Sequence, residues 1–209
     1  DEGHRFMRGD GFGFVGSSKI IYDGADQIVL WDIEQNREVP TGAPGSLELW
    51  KGASADGNYL ALLPTNDDTE ITVWNLEKDA KQSVLSGLNH SPDSVVFSSD
   101  DRLVAATSSD KRGFVWDVES GAVVHELTGH KQGIASAAFS GDGKTFATSS
   151  PDGTVRLWHL ESGREMLSFM PAHTRVWKLS FSTDDKLLLL NGYRSGLLLR
   201  VPGMTEIES

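Results

Sequence analysis

Tryptophan followed by a polar and then an aliphatic residue recurs along this chain as WDI at Trp31, WNL at Trp74, WDV at Trp116 and WHL at Trp158, at spacings of 43, 42 and 42 residues. A second, unrelated marker keeps the same step. Ser54-Ala-Asp-Gly, Ser98-Ser-Asp-Asp, Ser140-Gly-Asp-Gly and Ser182-Thr-Asp-Asp begin 44, 42 and 42 residues apart. Two independent signals in one register mean an array of like units, each of which buries its apolar faces only by stacking on its neighbours. A fifth copy, ending in Leu197-Leu198-Leu199-Arg200, lacks the tryptophan and places Arg200 at that position, 42 residues beyond Trp158. Counting back from each marker divides the chain into five units, residues 1–40, 41–84, 85–126, 127–168 and 169–209.

Inside a unit, strand-length runs alternate with turn residues, as in Ala135 to Phe139, Thr145 to Ser149 and Thr154 to Leu160. Period-two alternation, β-branched residues and Asp/Gly/Ser turns call for antiparallel strands, and no segment sustains a helical period. The chain is expected to be all-β. The acid pairs Asp67-Asp68, Asp100-Asp101 and Asp184-Asp185 fall in the hairpin connections this period sets, where Asp stabilises a turn by bonding its own backbone. That placement is preferred to a glycosidase or metal reading of the pairs.

Several function classes drop out. Gly11, Gly13 and Gly16 in GDGFGFVG have the spacing of a dinucleotide-binding fingerprint, but that motif must open a helix. Here Ser17 to Gly24 reads as a strand and then a turn, so the glycines at 9, 11, 13 and 16 belong to the first strand and turn of unit one. A formal charge of −11 with no basic cluster repels phosphate backbones and anionic lipid, which argues against a nucleic-acid partner. No apolar run reaches the ~18 residues of a membrane helix. With no cysteine there is neither a disulfide framework nor a thiolate metal site. A chain that begins at Asp1 without a signal-type segment reads as processed or as an excised portion of something longer, and a cytoplasmic setting is expected.

A unit of this length with four strands is one blade of a β-propeller. Gly129-His130, the SGDG turn at Ser140, Ser150-Pro151-Asp152-Gly153 and Trp158 together resemble the WD40-repeat family, most strongly in units three and four. The resemblance implies a hydrogen-bonded set within a blade, made of a His, a strand Ser/Thr, a turn Asp and the Trp. Unit four supplies His130, Ser150 or Thr148, Asp152 and Trp158. Unit three keeps Ser108, Asp110 and Trp116 but has Leu88 where the histidine belongs, with His90 two residues later. Unit five has His173, with Arg194 and Arg200 at the Asp and Trp positions. A Ser/His/Asp nucleophile is rejected, because the repeat already accounts for all three residues and no oxyanion site is evident.

Most propellers of this family have seven blades, so five units either close on themselves, form an arc completed by other blades, or are a fragment. The arc or fragment is favoured, because blade wedge angle is a property of the repeat; Arg5-Phe6-Met7 or Thr205 to Glu208 is a candidate closing strand. The family resemblance implies a non-enzymatic interaction scaffold or sensor module with protein partners, further blades of the parent protein or of another chain included, and no cofactor or metal. The alternative is a small-molecule or hydrolytic site at the central channel. Trp177 stands where units three and four have Asp93 and Ala135. Its alternation with Leu179 and Phe181 predicts packing between sheets; the competing expectation makes Arg175 and Trp177 partner-binding anchors at the propeller mouth.

Overall fold

The structure, a computed structural model, describes residues 12–15, 18–23, 28–43, 50–63, 69–171, 175–192 and 196–201. All regular structure among them is strand, and it forms five antiparallel sheets. The first contains β1 (Phe12–Val15), β2 (Lys19–Asp23), β3 (Ile28–Asp32) and β4 (Arg37–Pro40). The second contains β5 (Trp50–Ala53), β6 (Tyr59–Leu62), β7 (Ile71–Asn75) and β8 (Ala80–Leu85). The third contains β9 (Pro92–Phe97), β10 (Leu103–Ser108), β11 (Gly113–Asp117) and β12 (Val123–Leu127). The fourth contains β13 (Ser136–Phe139), β14 (Thr145–Ser149), β15 (Val155–His159) and β16 (Arg164–Phe169). The fifth, with three described strands, contains β17 (Val176–Phe181), β18 (Leu187–Gly192) and β19 (Gly196–Arg200). No described helix is long and apolar enough to cross a membrane.

Each sheet is an up-and-down meander, and in sheets two, three and four both faces are apolar, so such a sheet alone would leave both in water. Stacking removes that penalty. One apolar cluster joins sheets one and two through Ile21, Leu30, Leu60 and Leu62, and another joins two and three through Val73, Leu85, Val104 and Trp116. Sheets three and four share Val115, Leu127, Phe146 and Trp158; four and five share Ala147, Leu157, Leu188 and Leu190. The sheets approach one another through their first strands, with β9 beside β5 and β13, and β13 beside β17. First strands therefore converge and fourth strands point outward, as in the blades of a propeller. Gly133 sits at one such approach. A Cβ there would lie 2.7 Å from the Ser109 Cα atom, so only glycine lets the strand-entry segment of sheet four pass the turn of sheet three.

Local chemistry repeats from sheet to sheet. In the turn between first and second strands, Ser54, Ser98, Ser140 and Ser182 each donate a side-chain hydrogen bond to the Asp two residues on, at 2.6–2.7 Å. In the two described acid pairs the second residue behaves differently from the expectation that both bond their own backbone. Asp101 accepts from Ala55 and Asp56 N–H in the neighbouring turn at 2.8 and 2.9 Å, and Asp185 accepts from Gly141 and Asp142 N–H at 2.6 and 2.7 Å. Positive φ values of 57° and 58° turn these two residues away from their own loops and toward the adjacent sheet. Burial pushes the Asp101 carboxyl above the usual carboxylate range, against the lowering effect of the two backbone donors. Asp67 and Asp68 lie outside the described residues, as do Gly9, Gly11, Gly16, residues 5–7 and residues 205–208; Gly13 lies on β1.

One register expectation needs correcting. Phe146 pairs with Trp158 across β14 and β15, and its counterpart Leu188 pairs with Leu199, not Arg200. The connection between second and third strands is one residue shorter in the fifth sheet, which shifts the match. Leu199 thus packs in the core where tryptophan would stand, and Arg200 is exposed.

Candidate partner-binding surface

The residues singled out for hydrogen bonding in unit four do meet in the structure. His130 comes from the segment before β13, Thr148 from β14, Asp152 from the β14–β15 turn and Trp158 from β15. His130 Nε2 lies 2.9 Å from the Thr148 hydroxyl, which also accepts from Trp158 Nε1–H at 2.9 Å. On its other side His130 Nδ1 is 3.0 Å from Thr154 Oγ1 and 3.3 Å from Asp152 Oδ2. The hydroxyl in this chain is Thr148 and not Ser150. Pairing of Thr148 with Ala137 and Arg156 sets it on the face that His130 and Trp158 occupy, whereas Ser150 lies in the turn and donates to the Gln132 carbonyl at 3.3 Å.

A neutral imidazole with its hydrogen on Nδ1 satisfies every partner: Thr148 O–H donates to Nε2, and Nδ1–H is shared by Thr154 and Asp152. Burial lowers the His130 pKa, against the attraction of Asp152, and so favours that neutral form. Burial acts upward on Asp152, but hydrogen bonds from Thr154 O–H, Lys131 N–H and Thr154 N–H outweigh it and hold the carboxyl far below the usual range. Thr148 is fully buried and the His130 and Asp152 side chains are 0% and 4% exposed, so no substrate reaches this group. It holds strands together.

Unit three does not assemble the same set. Ala106 pairs with Val95 and Phe114 as Thr148 does with Ala137 and Arg156, so Leu88 and Ala106 replace His130 and Thr148. An apolar pair thus stands for a polar one. Trp116 Nε1–H goes instead to the Ser86 carbonyl at 3.1 Å, Asp110 pairs with Arg112 at 2.8 Å, and Ser108 Oγ is buried without a partner. His90 is exposed and does not stand in for Leu88. His173 and Arg194 lie outside the described residues.

Antiparallel topology gives each sheet two ends. At one end lie the turns joining first to second and third to fourth strands, and it is acidic: a depression of about 400 Å3 between sheets two and three is lined there by Asp56, Asp100, Asp101, Asp117 and Glu119 among others. At the other end lie the second-to-third turns and the segments entering each first strand. Between sheets four and five this end carries an open depression of about 510 Å3 lined by Ala135, Pro151, Arg175, Val176 and Trp177.

Trp177 is 54% exposed, which overturns the expectation that it packs between sheets. The alternation with Leu179 and Phe181 fails because Val176 pairs with Gly192 and Lys178 with Asn191, two consecutive partners, so Trp177 is the extra residue of a β-bulge. A bulge re-aims the side chain it releases. β9 does the same at Asp93, which is also exposed. Among the described residues Arg175 is exposed and makes no hydrogen bond or ion pair. No group of three His, Cys, Asp or Glu side chains among them is arranged to hold a metal.

Comparison with known proteins is informative at the level of the repeat. No curated protein matches the chain. Residues 82–117 and 121–159 each match the WD domain, G-beta repeat. The first match runs from β8 through β11 and the second from β12 through β15, so each repeat spans the outer strand of one sheet and three strands of the next. The chain thus carries two WD40 repeats, and its sheets, brought together through β5, β9, β13 and β17, are arranged as the blades of a propeller are.

Proposed function

We propose that the chain is a non-enzymatic interaction module that takes a protein partner on the surface formed by Arg175 and Trp177. WD40 repeats generally mediate protein–protein interaction or scaffolding. The observation that carries the specific reading is the bulge in β17: it holds a tryptophan 54% exposed, beside an unpaired arginine and over an apolar depression floored by Ala135 and Pro151. Tryptophan and arginine are the residues that most often dominate binding energy, and exposing one of each at a concave site costs the free protein solvation of apolar surface that a partner would recover. The His130–Asp152–Thr148 group does not support a hydrolytic alternative, since its polar atoms are committed to one another and closed to solvent.

A photo-crosslinking residue placed at position 177, with the exposed outer-strand position Val124 as control, tests the reading. A partner captured from position 177 and not from 124 is the expected result. Equal capture at both positions, or capture at 124 alone, would refute it.

A further inference from the structure

We propose that the depression between sheets four and five accepts an acidic peptide segment of the partner, with an apolar side chain seated against Trp177 and Pro151 and carboxylates facing Arg175 and Lys131. This deepens the reading that Arg175 and Trp177 form the partner surface, and rests on it.

The chain carries −11 overall, yet its charge is divided between the two ends of the sheets. The first-to-second turns concentrate Asp56, Asp100, Asp142 and Asp184, while the end that holds Trp177 carries Lys111, Lys131 and Arg175 as exposed cations. Of the acids at that end in sheets three and four, Asp110 pairs with Arg112 and Asp152 faces inward to His130, Lys131 N–H and Thr154, which leaves Asp93, at the bulge of β9 in sheet three, as the exposed one. Lys131 stands beside the depression, since its amide donates to Asp152 next to Pro151 at 2.7 Å, and its side chain has no ion-pair partner among the described residues. An acidic segment approaching here meets local attraction, whereas a basic one is steered to the opposite end.

Shape narrows the choice further. Trp177, Pro151, Val176 and Ala135 line the depression with apolar surface, which suits one proline, aliphatic or aromatic side chain rather than a broad flat interface. Two free cations serve a few carboxylates. They do not serve a nucleic acid, whose affinity depends on neutralising many phosphates and would be opposed by the negative remainder of the protein.

The test is selection of displayed random peptides on the whole chain, counter-selected on Trp177→Ala. Recovered peptides should be rich in Asp and Glu next to Pro, Leu or Phe; their affinity should fall about tenfold or more in Arg175→Glu and decline with added salt. Lysine-flanked versions of the same peptides should bind Arg175→Glu better than the parent protein, a reversal that a structural role for Arg175 would not produce. Peptides that depend on Trp177 but are basic or uncharged would overturn the acidic assignment and leave the partner surface standing. Failure to recover any peptide dependent on Trp177 would overturn both. Stronger competition by an oligonucleotide than by the acidic peptides would assign the surface to nucleic acid and reject the proposal.

Discussion

Sheets three and four hold alternative solutions to one packing problem, and exchanging them gives a quantitative test. In sheet four Thr148 links His130 to Trp158; in sheet three Ala106 and Leu88 fill the same two places. Thr148→Ala removes the acceptor of Trp158 N–H and the donor to His130 Nε2, leaving two buried polar groups unpaired, at about 1–2 kcal/mol each. A loss of about 2–4 kcal/mol is expected. His130→Leu costs less, about 1–2 kcal/mol, because Thr148 keeps Trp158 and Asp152 loses only the 3.3 Å contact while retaining three shorter ones. The double variant recreates the apolar pair of sheet three. Only Trp158 N–H is then orphaned, since no imidazole remains to lose its donor. The double variant should therefore lose about 1–3 kcal/mol, short of the sum of the single losses by about 2 kcal/mol. Urea unfolding of the four proteins, with slopes compared to exclude a change in the unfolded state, supplies the cycle. Additivity within about 0.5 kcal/mol would mean that the three side chains do not act as a unit.

Other expectations are simpler. With its folded pKa lowered, His130 takes up a proton in the unfolded chain first, so stability should fall as pH drops below about 6.5; His130→Leu should flatten that part of the profile, and an unchanged slope would contradict a buried neutral imidazole. Asp152 adds a second loss that begins only below about pH 4, as its unfolded form protonates. Asp101→Gly, which tolerates the positive φ, removes the acceptor of two amides in the neighbouring sheet and should cost about 1–2 kcal/mol, measured as a shift in urea midpoint, whereas the same loss should not follow Asp184→Gly. Trp177→Ala should change stability by less than about 1 kcal/mol, since the side chain is exposed; a loss near 3 kcal/mol would return it to the core.

What the sequence discloses here is what short-range chemistry controls. The tryptophan period and the Ser-x-Asp turns are legible because each is decided within a few residues, by strand pairing or by a hydroxyl reaching two residues forward. Errors arise wherever one residue is gained or lost. A short turn moves Leu199 into the tryptophan place, and a bulge at Trp177 inverts the faces on which the alternation was counted. Asp93, in the slot equivalent to Trp177, was the available sign that this position faces water. Thr148 and Ser150 have opposite fates because one is still on the strand and the other already in the turn, a boundary that periodicity leaves ambiguous. The inter-sheet role of Asp101 was hidden for a different reason: its partners are 45 and 46 residues away, and the local turn explanation sufficed without them.

The fourth residue of the Ser-x-Asp turns alternates along the chain as Gly57, Asp101, Gly143 and Asp185. Only the aspartates reach back, so sheet three is latched to sheet two and sheet five to sheet four by a carboxylate holding two amides. At these turns the seam between sheets three and four has no such carboxylate, only the bond from the Ser99 hydroxyl to the Gly141 carbonyl, while the contact of His125 Nε2 with the Leu160 carbonyl farther out is matched by Ser83 with the Val118 carbonyl at the seam of sheets two and three. Cooperativity along the array is then uneven, with the pair of sheets as its unit. Under native hydrogen exchange β5–β12 should open as one block and β13–β19 as another, and a pulling force should part the molecule first between β12 and β13.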